Sequence, residues 1–400
     1  MGVDRWRRTS LGEVVNLKRG YDLPSRLRSS GPFPIVSSSG VTGTHVEAKV
    51  DPPGVVTGRY GTLGVVWYVD EPYWPLNTTL YVQDFKGNHE RFVAYLLESL
   101  DLGTLVTSAA VPGINRNHLH PLPVRVPDSP LQVSIATALG AFDDLIKNNR
   151  RRIEILEEMA RLLYREWFVD FRFPEHEGVE LVDSDFGPIP EGWGFTTLGS
   201  AVDSLVDGDW IETKDQGGSA YRLLQVSNVG LGRFRETGNY RFVTEETLER
   251  LNCTPIAEGD ILISRMPDPV GRAWYIHDLL QPSITAVDVA IVRPERVTDG
   301  PFLELYLNSP PILAHAEQVA TGTTRKRVTR RVLSQFRLLL PPPSIRDDFF
   351  QIVAPMYGLK SVLARQNEAL VTARDLLLPR LVSGELDVSE LDLELEPLGV

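Results

Sequence analysis

Four arrangements in this 400-residue chain have residue types that could do chemistry. Asp51-Pro52-Pro53-Gly54 begins like the tetrapeptide with which base-flipping amino-methyltransferases hold the base they modify. Such a site needs an aromatic fourth residue to stack on the base, and a glycine turn between strand and helix for its cofactor. Position 54 is glycine and no G-x-G-x-x-G opens a helix, so Asp51–Gly54 is expected to be a turn. Gly58, Gly61 and Gly64 could cradle a phosphate, but they lie between two strand-like runs, which predicts a hairpin or bulge. There is no G-K-[ST] sequence for a nucleotide-hydrolysing loop. Asp22 with Glu47 and Lys49, or Asp207 with Glu212 and Lys214, has the makings of an acidic metal centre with a nearby lysine. Combinations this loose arise by chance in any charged chain. His118 and His120 could ligate a metal from one strand face, yet no third ligand accompanies them, and loop histidines are the expectation. No catalytic, cofactor-binding or metal-binding residue is therefore assigned.

Composition bounds what remains. The chain is 42% hydrophobic and 24% charged, which suits two or three globular domains. No run approaches the roughly 20 apolar residues of a membrane span. MGVDRWRRTSLG has no apolar stretch after its basic residues, so no secretory leader is expected. Cys253 is the only cysteine, which excludes an internal disulfide. A cytoplasmic location is expected. The net charge of −12 argues at first against a nucleic-acid partner, but it is unevenly spread. Residues 1–128 carry 13 Lys/Arg against 12 Asp/Glu, 343–400 carry 5 against 10, and RKRVTRR (325–331) packs five bases into seven residues. Local positive patches matter for DNA more than the sum.

The elements that must position any site are written twice. Trp6, Thr9, Leu11, Gly12 and Val15 recur as Trp193, Thr196, Leu198, Gly199 and Val202, at an offset of 187. Val55-Val56-Thr-Gly-Arg59 parallels Ile261-Leu-Ile-Ser-Arg265, and LPVRVPDSP (122–130) parallels FRLLLPPPS (336–344). Runs such as YRLLQVSNVG and VDVAIVRP read as short strands. ERFVAYLLESL (90–100) and PFLELYLNS (301–309) read as short helices. Each half then enters a long helix. In the first, a heptad seam runs through Ile135, Leu139, Phe142, Ile146, Asn149, Ile153, Leu156, Ala160, Leu163 and Trp167. At an offset of 217 the second offers Ile352, Met356, Leu359, Leu363, Gln366, Leu370, Ala373 and Leu377. Asn149 and Gln366 share one seam position and are expected to set register as facing amides near a pseudo-twofold axis. Pro355 should kink the second helix. The expected fold is α+β: two mainly β domains with short helices, separated by two long helices paired as an antiparallel coiled coil.

FGPIPEGWGFTTLG (186–199), LYREWFVDFRFPEHEG (163–178), LLPRLVSGEL (377–386) and the proline-ended strand before each long helix carry a family resemblance. The chain resembles the specificity subunit of type I restriction–modification systems, over essentially its whole length. The resemblance implies target-recognition domains at 1–128 and 179–342. It also implies conserved spacer helices at 129–178 and 343–384, followed by an acidic tail at 385–400. Each recognition domain would read half of a bipartite site in double-stranded DNA. The helices would serve as a spacer and as a platform for two methyltransferase subunits, joined by restriction/translocase subunits. S-adenosylmethionine, ATP and Mg belong to those partners, with no cofactor in this chain. Pro130-Leu-Gln132 and Asp347-Asp348-Phe-Phe-Gln351 stand where the family usually has a glutamate-glutamine pair. Two rivals remain: a specificity subunit of a related defence system with other partners, and a coiled-coil adaptor that reads no DNA.

Phosphates call for Lys and Arg, and base edges for bidentate Arg, Asn or Gln and small hydroxyls. The first globule offers Lys18, Arg19, Ser37, Ser38, Ser39, Arg59, Tyr60, Asn77, Thr78, Asn115 and Arg116. The second offers Gln225, Ser227, Asn228, Arg265, Arg272, Thr323, Thr324, Arg325, Lys326, Arg327, Arg330 and Arg331.

Overall fold

The computed structural model describes residues 5–100, 102–105, 113–185, 187–322 and 325–388. The chain divides into two compact units, one of residues 1–148 with 366–400 and the other of 149–365.

In the first unit, β1 (Trp6–Ser10) passes through one helical turn, α1 (Leu11–Val14), into β2 (Asn16–Arg19). β3 (Phe33–Ser37), β4 (Gly40–His45), β5 (Gly54–Gly58), β6 (Val66–Val69), β7 (Trp74–Pro75) and β8 (Thr79–Asp84) follow. Next come α2 (Glu90–Ser99), α3 (Arg116–Leu119), β9 (Pro123–Pro127) and the long α4 (Ser129–Phe168). The strands form sheets ordered β2-β8-β5-β6 and β4-β3-β7, plus the ribbon β1-β9. β5 is buried at every residue, which is why GVVTG reads as an apolar run without alternation. On one side lie Phe92, Val93, Leu96 and Leu97 of α2, in a core shared with Leu131, Ile135 and Leu139 of α4.

The second unit repeats this plan. β10 (Leu181–Val182) and β11 (Ile189–Pro190) form a small ribbon ahead of β12 (Gly194–Thr197), β13 (Val202–Asp207), β14 (Tyr221–Leu224) and β15 (Phe242–Val243). α5 (Glu245–Arg250), β16 (Ile261–Ser264), β17 (Ala273–Tyr275), β18 (Ser283–Thr285) and β19 (Val289–Pro294) follow. α6 (Gly300–Leu307), α7 (Pro310–Val319), α8 (Arg330–Ser334), β20 (Arg337–Leu340) and α9 (Pro343–Ser383) complete it. The sheets are β13-β19-β16-β17, β15-β14-β18 and β12-β20, each matching a sheet of the first unit strand for strand. Even the single parallel pairing recurs, β3 with β7 and β14 with β18. The core is aromatic: Phe168 packs 4.8 Å from Phe302 and 4.9 Å from Phe349 between ring centres, and Phe173 packs 5.5 Å from Trp193. The LYREWFVDFRFPEHEG stretch thus supplies much of this unit's interior.

Within each unit, α4 and α9 pack antiparallel. In the first, Asp143 pairs with Arg374 at 2.8 Å, and Leu131 and Ile135 share a core with Leu378, Leu381 and Val382. In the second, Glu157 meets Lys360 at 3.5 Å while Trp167 stacks 5.8 Å from Phe349. The seam read in α4 is buried or half-buried at every position. The seam read in α9 holds at Leu363, which is buried, and Met356, Leu370, Ala373 and Leu377 are half-buried, but elsewhere the more buried residue is the next one along. Val353, Tyr357 and Asn367 are buried, whereas Ile352, Leu359 and Gln366 are exposed. Asn149 is 1% exposed and Asn367, next to the expected Gln366, is 9% exposed. α9 is one helix through Pro355, whose ring lies on its exposed side.

Candidate nucleic-acid interface

The residues of the four arrangements with chemical potential have other partners in the structure. Gly54 lies against the Tyr73 ring, where a Cβ would fall 2.3 Å from the nearest ring atom, so the Asp51–Pro53 bend feeds a packed strand. Gly58, Gly61 and Gly64 belong to the connection between the antiparallel strands β5 and β6, a hairpin as expected. Gly61 and Gly64 adopt φ of 83°, the left-handed region that glycine enters without a Cβ penalty. Asp22 accepts from Arg19 and Asn77, while Lys49 turns to Glu47 and the Trp74 ring. Lys214 pairs with Glu212 at 2.6 Å. His120 accepts a hydrogen bond from the Leu17 N–H at 3.1 Å, and burial lowers its pKa, followed by the charges of Arg116 and Lys86. Among the described residues no group of three His, Cys, Asp or Glu could hold a metal.

What the first unit does assemble is a cluster at the end of β5. The Arg59 N–H donates to Thr78 O at 2.8 Å, and the Arg59 carbonyl accepts from the Ile114 N–H at 2.9 Å. These two bonds bring the 59–64, 76–79 and 113–116 segments together. The Arg59 guanidinium lies 4.5 Å above the Tyr60 ring, and Arg116, following the N-cap Asn115, reaches the Leu17 carbonyl at 3.5 Å. Ser38 joins from the β3–β4 turn, its Oγ 3.0 Å from where a Cβ on Gly61 would stand. Ser37 and Ser39 share a hydroxyl contact of 3.0 Å in that turn. Asn77 and Arg19 are joined through Asp22, and Lys18 stands over Tyr21. The eleven residues singled out in this half thus fall on β2, on the two turns and on the α3 entrance, all around one strand end.

The second unit builds the same frame. The Arg265 N–H donates to Asp288 O at 3.0 Å, and the Arg265 carbonyl accepts from the Val328 N–H at 3.0 Å. Thr329 caps α8 as Asn115 caps α3, and Arg330 follows as Arg116 does. The side chains differ. Arg265 is only 3% exposed, paired to Asp207 at 2.8 Å and bonded to the Val287 carbonyl. Burial lowers its pKa below the ordinary arginine value, with the Asp207 charge opposing. Arg327 contacts Asp288 at 3.0 Å, and Arg330 approaches Asp207 at 3.8 Å. Asp207 Oδ1 and Asp288 Oδ1 are buried and make ion contacts without hydrogen-bond geometry.

Several expected DNA-facing residues are structural instead. Arg272, 3% exposed, donates to four backbone carbonyls, those of Val229, Val226, Met266 and Pro269, at 2.6–3.0 Å. Its charge is spent holding two loops together. Asn228 is buried, bonding the Gln225 N–H and the Arg235 carbonyl, and Gln225 completes that reciprocal cap. Arg265 is likewise inward. Ser227 remains exposed. Thr323 and Thr324 lie outside the described residues. Of the basic run, Lys326 pairs with Glu317 at 2.5 Å, while Arg325 and Arg331 are exposed and have no carboxylate within 4.0 Å among the described residues.

Comparison with known proteins agrees with this picture. Residues 4–158 match the family model for the type I restriction modification DNA specificity domain. The chain is 26% identical over 284 residues to the type I restriction enzyme MjaIX specificity subunit of Methanocaldococcus jannaschii, covering 70% of this chain and 64% of that one. It is 21% identical to the HindI specificity subunit of Haemophilus influenzae, covering 70% and 72%. The fold is that of the type I restriction–modification S subunit from M. genitalium, with a TM-score of 0.60 at 16% identity over 94% of this chain and 96% of that one.

Proposed function

From the match of residues 4–158 to the type I restriction modification DNA specificity domain, we propose that the chain reads double-stranded DNA without catalysing a reaction on it. Each unit contacts one half of a bipartite target through the strand-end cluster built on Arg59 or Arg265. The paired helices α4 and α9 set the distance between half-sites and carry two methyltransferase subunits, to which restriction/translocase subunits add. S-adenosylmethionine, ATP and Mg serve those partners. The observation that carries this reading is the duplicated frame, 2.9 Å from Ile114 N to Arg59 O and 3.0 Å from Val328 N to Arg265 O. A duplicated frame with different side chains is what reading two different half-sites requires, since backbone position is shared while base contacts specify.

The test is an exchange. Replacing residues 1–128 by the first globule of a relative, in cells that also hold the methyltransferase partner, should change one half of the methylated motif and leave the other. Alteration of both halves, or of neither, refutes modular reading.

A further inference from the structure

The two frames can be aligned bond by bond. Gly20 N–H donates to Thr79 O as Gly208 N–H donates to Val289 O, which makes Arg19 the equivalent of Asp207 and Thr78 the equivalent of Asp288. The first unit therefore has no carboxylate at either position flanking its strand-end arginine. The second has one at each, and both are engaged: Asp288 on Arg327 at 3.0 Å and Arg265 at 3.9 Å, and Asp207 on Arg265 at 2.8 Å and Arg330 at 3.8 Å. Arg325 and Arg331, in the same basic run, carry no such partner among the described residues.

We propose that Asp207 and Asp288 are specificity-determining positioning residues of the second unit. They hold Arg330 and Arg327 on carboxylates, and so withhold these guanidiniums from DNA that does not offer better acceptors. The inference rests on the DNA-reading function proposed above. A free arginine pairs with whatever phosphate is nearest, adding affinity for every sequence alike. An arginine already paired must give up an ion contact first, so only a duplex that positions a guanine edge or a phosphate in the right geometry gains from it. The basic run then divides its labour. Arg325 and Arg331 bind phosphate on any sequence, and Arg327 and Arg330 discriminate. The buried Asp288 Oδ1 lies 3.0 Å from Arg327 Nε without hydrogen-bond geometry, and Arg330 stands 3.8 Å from Asp207 Oδ2; both are contacts loose enough to be exchanged.

The experiment uses the full chain with its methyltransferase partner and the motif mapped from methylated genomic DNA. Binding is measured between 50 and 200 mM salt. One duplex carries the motif; in the other, the half that survives exchange of residues 1–128 is scrambled. Asp288→Asn is the main variant, because its 3.0 Å partner Arg327 is 42% exposed, while the buried Arg265, 3.9 Å away, keeps its closer contact to Asp207 at 2.8 Å. Asp207→Asn is secondary, since it also strands the buried Arg265. Asp288→Asn should tighten binding to the scrambled duplex and leave the cognate duplex nearly unchanged, so the ratio between them falls. One new phosphate contact steepens the salt slope by about 0.9, an extra loss of about 3.5-fold over that fourfold salt range. Glu317→Gln removes the same charge from Lys326 and should tighten both duplexes alike. An unchanged ratio in Asp288→Asn, or an equal fall in Glu317→Gln, overturns the proposal. If the parent complex itself fails to separate the two duplexes, the DNA-reading function falls instead.

Discussion

Replacing Arg272 by methionine separates a structural arginine from a DNA-reading one. Methionine keeps most of the side-chain volume and removes five donors. Four carbonyls, of Val226, Val229, Met266 and Pro269, lose a charged donor at 2.6–3.0 Å. A hydrogen bond to a charged group contributes about 1.5 kcal/mol or more, so the gross loss is about 6 kcal/mol. Burying the guanidinium costs several kcal/mol that the variant recovers, and the net destabilisation is about 3 kcal/mol. For a unit of this size that lowers Tm by about 6–12 °C. Arg272→Lys should be nearly as damaging, because one ammonium cannot span carbonyls that lie on two loops. Calorimetry gives Tm, and DNA binding measured well below it gives the salt slope. A normal Tm with weakened DNA binding would refute the assignment and return Arg272 to the interface.

Three further outcomes are expected. Arg325→Ala with Arg331→Ala should weaken binding to all sequences and reduce the salt slope by nearly two, about 0.9 for each lost phosphate contact; an unchanged slope would mean both face solvent. Asp128 caps α4 through the Leu131 N–H and pairs with Arg5 at 3.0 Å, and the Arg5 hydrogen bond, then that of the Leu131 amide, holds its pKa below the usual value. A depressed pKa stabilises above the unfolded value and is lost as pH falls through the folded one. Asp128→Ala should therefore lower the first unit's Tm at neutral pH, and the gap to the parent should close in acid; a gap independent of pH would contradict this. Inserting one heptad in each of α4 and α9 should lengthen the spacer between half-sites by about 10 Å, or about three base pairs, with the half-site bases unchanged. Methylome mapping of the variant would expose any change in those bases.

The duplication, the strand-rich halves and the α4 seam were legible because each is a local pattern: repeated residues at fixed offset, β-branched runs, and a heptad. The first turns of the α9 seam were misplaced by one because Ile352-Val353 and Met356-Tyr357 give two adjacent apolar stripes of equal weight. The choice between them is made by Trp167 and Phe168, aromatic partners nearly 200 residues away, which take Phe349 into their core and carry Val353 and Tyr357 inward with it. The grouping of the singled-out residues at strand ends was legible, but not the partner each side chain takes. Arg59 and Arg265 occupy the same place in the pattern, yet one lies half-buried over Tyr60 and the other is sealed against Asp207. Backbone carbonyls leave no mark in a sequence, so nothing there distinguishes an arginine that binds four of them from one that waits for phosphate.

The first unit takes its core from both ends of the chain. Leu378, Leu381 and Val382 pack with Leu131, Ile135 and Leu139, but the 217 residues from 149 to 365 are synthesised between them. At about 5–20 residues per second, the ribosome takes about 10–40 seconds over that interval. For that time the α4 stripe has no α9 to cover it, whereas the second unit has every one of its residues before the first can close. The first unit is thus finished last, and a ribosome that stops short of Leu378 leaves an apolar stripe exposed after the second unit is complete.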